Sequence, residues 1–146
     1  MDLKLVSIEE VRDRSAIHRW ELLRYDGSPI DIKIVTGFEE SDEKNVLSML
    51  LGVRYTAMRE DLRRPLLTYF IRVKAQVNDI VHKALVTDSS VYLPPDLLAT
   101  LMGVGIGALR GMVALKTVDT PLAEHPLPLY AVSDLINDPQ AESQEW

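Results

Sequence analysis

YLPPDLLATLMGVGIGALRGMVALK, residues 92–116, reads as a long apolar helix entered through two prolines. A proline in the first helical turn sacrifices no hydrogen bond, so Pro94 or Pro95 suits the start. Gly103, Gly105, Gly107 and Gly111 lie inside the run, four of the chain's seven glycines within nine residues. Each costs roughly 1 kcal/mol against alanine in a helix interior, about 3–4 kcal/mol together. Close packing is the obvious compensation. Ala99, Gly103, Gly107 and Gly111 follow one another at intervals of four and form a single smooth ridge. That ridge is expected to be an interface for another helix or a sheet.

Upstream, two stretches alternate strictly. Leu47, Met49, Leu51, Val53, Tyr55 and Ala57 occupy odd positions, and so do Leu67, Tyr69, Ile71, Val73, Ala75 and Val77. The period of two predicts long strands, each with one apolar face. The polar stretch from Arg59 to Pro65 is expected to join them as an antiparallel hairpin. Leu50, Leu66 and Phe70 fall on the nominally outer faces, as a binding surface or as residues covered by the N-terminal segment. Ile30, Ile32 and Ile34 alternate with Asp31 and Lys33 and predict a half-buried strand after the turn Asp26-Gly27-Ser28-Pro29. Leu3, Leu5, Ser7, Ile8 and Val11 suggest a bulged first strand. Residues 9–22 read equally as strand or helix. Glu39 to Lys44 reads as a solvated charged loop, and residues 78–91 favour no element.

The expected fold class is therefore α+β: a four-stranded antiparallel sheet followed by a long helix and a short C-terminal helix. The stretch Thr117–Leu129, with Pro121, Pro126 and Pro128, reads as an ordered irregular link. Ser133 or Asp134 would begin the last helix. At 146 residues the chain fits one domain, expected over 1–138, with 139–146 an acidic disordered tail. The net charge of −6 lies wholly in residues 117–146, which hold six acids and no Lys or Arg. Such a tail disfavours nucleic acid as the main partner. Arg54, Arg59, Arg63, Arg64, Arg72 and Lys74 cluster near the hairpin, but Glu60 and Asp61 break the cluster and no stacking aromatics interleave it.

No cysteine is present, which excludes disulfides and thiol chemistry. The N-terminus carries no basic region followed by an apolar run, so a cytoplasmic location is expected. His18, His82 and His125 lack metal-ligand spacing, and Glu39, Glu40, Asp42 and Glu43 lack that of a calcium loop. Gly103-Val104-Gly105-Ile106-Gly107-Ala108 matches the dinucleotide pattern in letters, but its glycines lie within the helix rather than after a strand. Residues 97–115 approach the length of a membrane span; Arg110 inside them favours a buried helix. No nucleophile–base pair stands out, so no enzyme and no cofactor is expected.

This order of elements resembles the SecB export chaperone family. The family's proline-marked entry to its long helix is similar to Leu93-Pro94-Pro95-Asp96-Leu97-Leu98, and its Arg-Gly pair to Arg110-Gly111. Its Leu- and Pro-rich link is similar to Leu122-Ala123-Glu124-His125-Pro126-Leu127-Pro128-Leu129, and its last helix to Ser133-Asp134-Leu135-Ile136. The family's cysteine is absent, and Lys116 to Pro121 stands where it has a Ser-Arg-Gly-rich corner.

The resemblance implies an ATP-independent holding chaperone, cytoplasmic and active in protein transport, forming a homotetramer as a dimer of dimers. Its partners would be unfolded or partly folded polypeptides and a translocase motor. Matching residues for the client groove are Leu122, Leu127, Leu129 and Tyr130 on the link, with Tyr69 or Phe70 on the sheet. Each serves equally well to close the core. Ala99, Gly103, Gly107 and Gly111 would form the oligomer interface. A second reading is an adaptor of the same fold with a specific folded partner, such as an antitoxin or a phage component. A third is an enzyme or small-ligand protein using the sheet–helix cavity. A broad apolar groove favours the first, and a filled groove the second. A closed pocket with converging polar groups favours the third.

Overall fold

Alternation along the chain builds one antiparallel sheet, and the glycine-bearing helix covers it. The computed structural model describes residues 3–39, 43, 45–59, 62–77, 86–87, 90–91 and 95–129. In chain order the elements are β1 (Leu3–Glu10), a 3-10 turn (Arg12–Arg14), β2 (Ala16–Ile17), α1 (Arg19–Leu23) and β3 (Ile30–Glu39). There follow β4 (Val46–Arg59), β5 (Leu62–Val77), β6 (Val86–Thr87), β7 (Ser90–Val91), α2 (Pro95–Lys116) and a second 3-10 turn (Pro121–Glu124). The main sheet runs β1-β5-β4-β3, and the two-residue β2 also pairs with β5. It thus has five strands rather than four, because the edge strand breaks at Val11 and resumes at Ala16. β6 and β7 pair separately, in a stretch where the sequence favoured no element.

The β4–β5 hairpin is the centre. Leu51 opposes Ile71 and Val53 opposes Tyr69, so the odd-numbered apolar residues share the face toward α2. The pairing runs further than expected, since Arg59 opposes Leu62. Arg63, Arg64 and Pro65 are ladder residues, not a connection. Pro65 is tolerated because the register slips beside it, between Tyr55 and Thr56, and because β2 reaches only Leu67 and Thr68 on the other side.

β3 joins the opposite side of β4, with Ile30, Ile32 and Ile34 facing Ala57, Tyr55 and Val53. The turn before it is as expected: the Asp26 carboxylate accepts the Ser28 amide at 3.0 Å, and Gly27 has φ +87°. β3 extends through Glu39, which is therefore a strand residue rather than part of a solvated loop. Residues 40–42 and 44 lie outside the described residues. In β1 the register shifts between Leu5 and Ser7, which keeps Leu3, Leu5 and then Ile8 on one face.

Helix α2 buries Leu97, Leu101, Met102, Ile106, Leu109 and Val113 against this face, the three-to-four spacing of an amphipathic helix. Asp96 in its first turn and Lys116 in its last complement the helix dipole. After the helix, Thr120 accepts the Leu122 amide at 3.1 Å and Pro121 opens the second 3-10 turn. The last helix and the acidic tail of the sequence reading lie outside the described residues.

The other face of the sheet carries a second, smaller core. Val11, Val35, Leu50 and Phe70 are buried together there. The Phe70 ring lies across Gly52 of the neighbouring strand, where any Cβ would overlap it. The Arg14 guanidinium caps that ring at 4.4 Å from its centroid. The N-terminal segment is thus the cover for Phe70. Beside it Arg72 grips Glu39 with two bonds, Nε to Oε1 at 2.7 Å and Nη2 to Oε2 at 3.2 Å. Ser48 donates to the same carboxylate at 3.2 Å.

The hydrogen bonds from Arg72 hold the Glu39 carboxyl below its ordinary value of 4.5, against the opposing effect of burial. The sign follows: a lowered folded pKa contributes stability above the ordinary value, lost as pH falls through the folded one. Arg72→Met should destabilise by about 1 kcal/mol at neutral pH, given the partial exposure of both groups. The gap between the two proteins should close as pH drops below about 4.5, measured by urea unfolding across pH.

Candidate functional site

Two surfaces follow from this packing: the outward face of α2, and the link that closes the end of the core. The ridge Ala99, Gly103, Gly107, Gly111 lies on the outward face, and all four residues are exposed. Among the described residues, a Cβ added at Gly103, Gly107 or Gly111 meets nothing within 4 Å. Gly105 is different, since its Cβ would overlap Leu51 and approach Met49 Cε at 2.8 Å. Close packing against the sheet therefore accounts for Gly105, which lies off the ridge. Among the described residues, nothing packs on the three ridge glycines to offset their helix cost. Val104 is 40% exposed and Leu115 77%, so apolar side chains accompany the small ones. Asp96–Lys116 is long and apolar enough to cross a membrane by length and composition, and 33% of that apolar stretch is buried.

The link is held by polar clamps. Tyr55, wholly buried, donates its hydroxyl to the His125 carbonyl at 2.7 Å. His125 also meets the edge of the Tyr25 ring. Arg110 reaches from α2 to the carbonyls of Leu127 at 3.2 Å and Pro128 at 3.0 Å. The sequence marked Arg110 as a charge within an apolar run and as half of an Arg-Gly pair; its side chain docks the link. Nothing in the sequence pattern pointed to Tyr55, because its ring belongs to the regular apolar alternation.

The expected groove residues do not form one open wall. Tyr69, Leu122 and Leu127 are buried in the main core. Phe70 is buried on the opposite face of the sheet. Leu129 is 90% exposed, and Tyr130 lies outside the described residues. The basic cluster at the hairpin is largely paired: Arg59 with Asp26 at 3.3 Å, Arg63 with Asp31 at 2.9 Å and Arg64 with Glu21 at 3.5 Å. Arg54 Nε donates to Thr68 at 3.3 Å. His18 uses its backbone amide on the Leu66 carbonyl at 3.0 Å, and His82 lies outside the described residues.

At the end of β1, Glu10 takes Lys116 Nζ at 3.1 Å and Arg12 Nε at 3.6 Å. The hydrogen bond from Lys116, more than that from Tyr69, holds its carboxyl below the ordinary range despite burial. Burial pushes the Tyr69 hydroxyl far up, and the Glu10 charge adds to it. Tyr69 is thus a neutral donor at any ordinary pH.

No family model and no curated protein matches the sequence. Among solved structures, the crystal structure of a protein of unknown function from Streptococcus agalactiae is similar. It shares 15% identity, the match covers 90% of this chain and 94% of that one, and the TM-score is 0.25. At that score the likeness carries nothing about fold or function.

The contrast between the glycines is measurable. In the dilute single chain, Gly107→Ala should raise stability by about 1 kcal/mol, since the helix gains and no described residue is displaced. Gly105→Ala should fall below Gly107→Ala by at least about 1 kcal/mol, because overpacking against Leu51 cancels the same gain. Chemical denaturation of both variants checks the order.

Proposed function

We propose that the chain is a SecB-like, ATP-independent holding protein that assembles through α2 and binds unfolded polypeptide in the cytoplasm. The observation that carries this is the outward face of α2. Among the described residues, its small ridge and flanking apolar side chains are left open. A helix that spends about 3 kcal/mol on exposed glycines recovers it where a second backbone approaches closely. A second copy of the chain, laying its own ridge against this one, is the proposed occupant. The client surface would then lie beside the link, where Leu129 and Val118 are exposed.

A second reading is favoured by a specific observation: Leu122, Leu127 and Tyr69 fill the core instead of lining a cleft. A filled groove suits an adaptor of the same architecture that recognises one folded partner.

Mass in solution, combined with suppression of aggregation of an unfolded test protein, separates the two. The chaperone predicts an oligomer that delays aggregation at near-stoichiometric amounts without ATP. An oligomer that leaves aggregation unchanged favours the adaptor, and a monomer that leaves it unchanged overturns both assembly and holding. Gly107→Leu should dissociate the oligomer while the circular dichroism of the sheet stays intact. An unchanged mass would show that the ridge faces no partner.

A further inference from the structure

The broken edge strand leaves an open depression in the surface of the domain. Between Val11 and Ala16 the chain departs from β5 through the 3-10 turn, and an open cavity of about 360 Å³ lies beside the gap. Glu10, Arg12, Ile17, Arg19, Tyr69 and Lys116 are among the residues that line it. The turn is not loose. The Ser15 hydroxyl donates to the Val11 carbonyl at 2.7 Å and accepts the Phe70 amide at 2.9 Å, which pins the loop carrying Arg12 to β5.

The charge of the lining is one-sided: it holds three cations, Arg12, Arg19 and Lys116, and one carboxylate, Glu10. Glu10 is already engaged by Lys116, Arg12 and the Tyr69 hydroxyl. Arg19 makes no ion pair among the described residues. A cationic ligand would meet an excess of like charge, whereas an anion would meet guanidinium groups shaped for two-point contact with phosphate or carboxylate oxygens. The volume lies at the lower end of small-molecule sites, which run from about 300 to 1,000 Å³.

We propose that this cavity binds a small dianion bearing phosphate or carboxylate groups, held by Arg12, Arg19 and Lys116. The site rests on the edge break and the turn, not on assembly through α2, so it stands or falls separately from the holding function.

The test is calorimetric titration of the full chain with inorganic phosphate and, separately, with succinate, at constant ionic strength set by chloride. Saturable binding of one or both near one per chain is expected, with a matching rise in melting temperature. The preferred anion tells phosphate ligands from carboxylate ligands. The double variant Arg12→Gln/Arg19→Gln should lose about tenfold or more in affinity, roughly 1.4 kcal/mol. Arg24→Gln, outside the cavity, should bind as the parent does. Circular dichroism establishes that each variant is folded. Absence of saturable binding by both anions, or unchanged affinity in the folded double variant, overturns the proposal.

Discussion

The fold depends on covering both faces of the β4–β5 hairpin. Its residues alternate, but neither face is free to meet water: Leu51, Ile71 and Val53 point one way, Leu50 and Phe70 the other. The chain has a single long helix among its described residues and spends it on the first face. The second face is closed by economy of shape. A glycine in β4 accepts the Phe70 ring flat across it, and a short N-terminal turn lays Arg14 on top. Cross-strand contact and a guanidinium replace the second helix layer that a two-sided sheet ordinarily demands.

That solution sets the rest of the N-terminal geometry. Val11 keeps its amide on the Phe70 carbonyl at 2.8 Å, and its side chain joins Leu50 and Phe70 on the outer face. Beyond Val11 the edge strand breaks, the Ser15 hydroxyl accepts the Phe70 amide, and the chain resumes pairing at Ala16. The cavity bounded by Glu10, Arg19 and Lys116 is a consequence of the same detour. The outer core and the polar cavity are thus two results of one interruption in one strand.

Much of this was legible in the residues. The odd-numbered apolar series located β4, β5 and their shared face, because a strict period of two fits an extended strand and no helix. The bulge in β1 showed as a change of parity between Leu5 and Ile8. Other features were hidden for physical reasons. Pro65 looked like a loop residue because only the three-dimensional register reveals that it borders a bulge. Glu39 looked solvated because its partner Arg72 is 33 positions away in sequence. Gly105 could not be separated from its neighbours, since which glycine faces the sheet depends on the rotation of α2. Leu122 and Leu127 matched a link by composition, and composition does not distinguish a groove wall from a core plug. Tyr130 and the expected last helix lie outside the described residues.

The rotation of α2 connects stability to assembly. If the helix turned so that the ridge met the sheet, Gly103 and Gly107 would gain contact, but Leu101, Met102 and Leu109 would be exposed. Each buried aliphatic side chain is worth about 1.5–3 kcal/mol, so the large residues decide the rotation and the small ones are left outward. Small residues on an outward face contribute almost nothing to a lone chain and actively weaken its helix. Their benefit is distance: without side chains in the way, a second backbone can approach and make dense dispersion contacts along the whole ridge. The sheet therefore fixes which face of α2 is presented, and no described residue lies within 4 Å of a Cβ added at Gly103, Gly107 or Gly111 on that face.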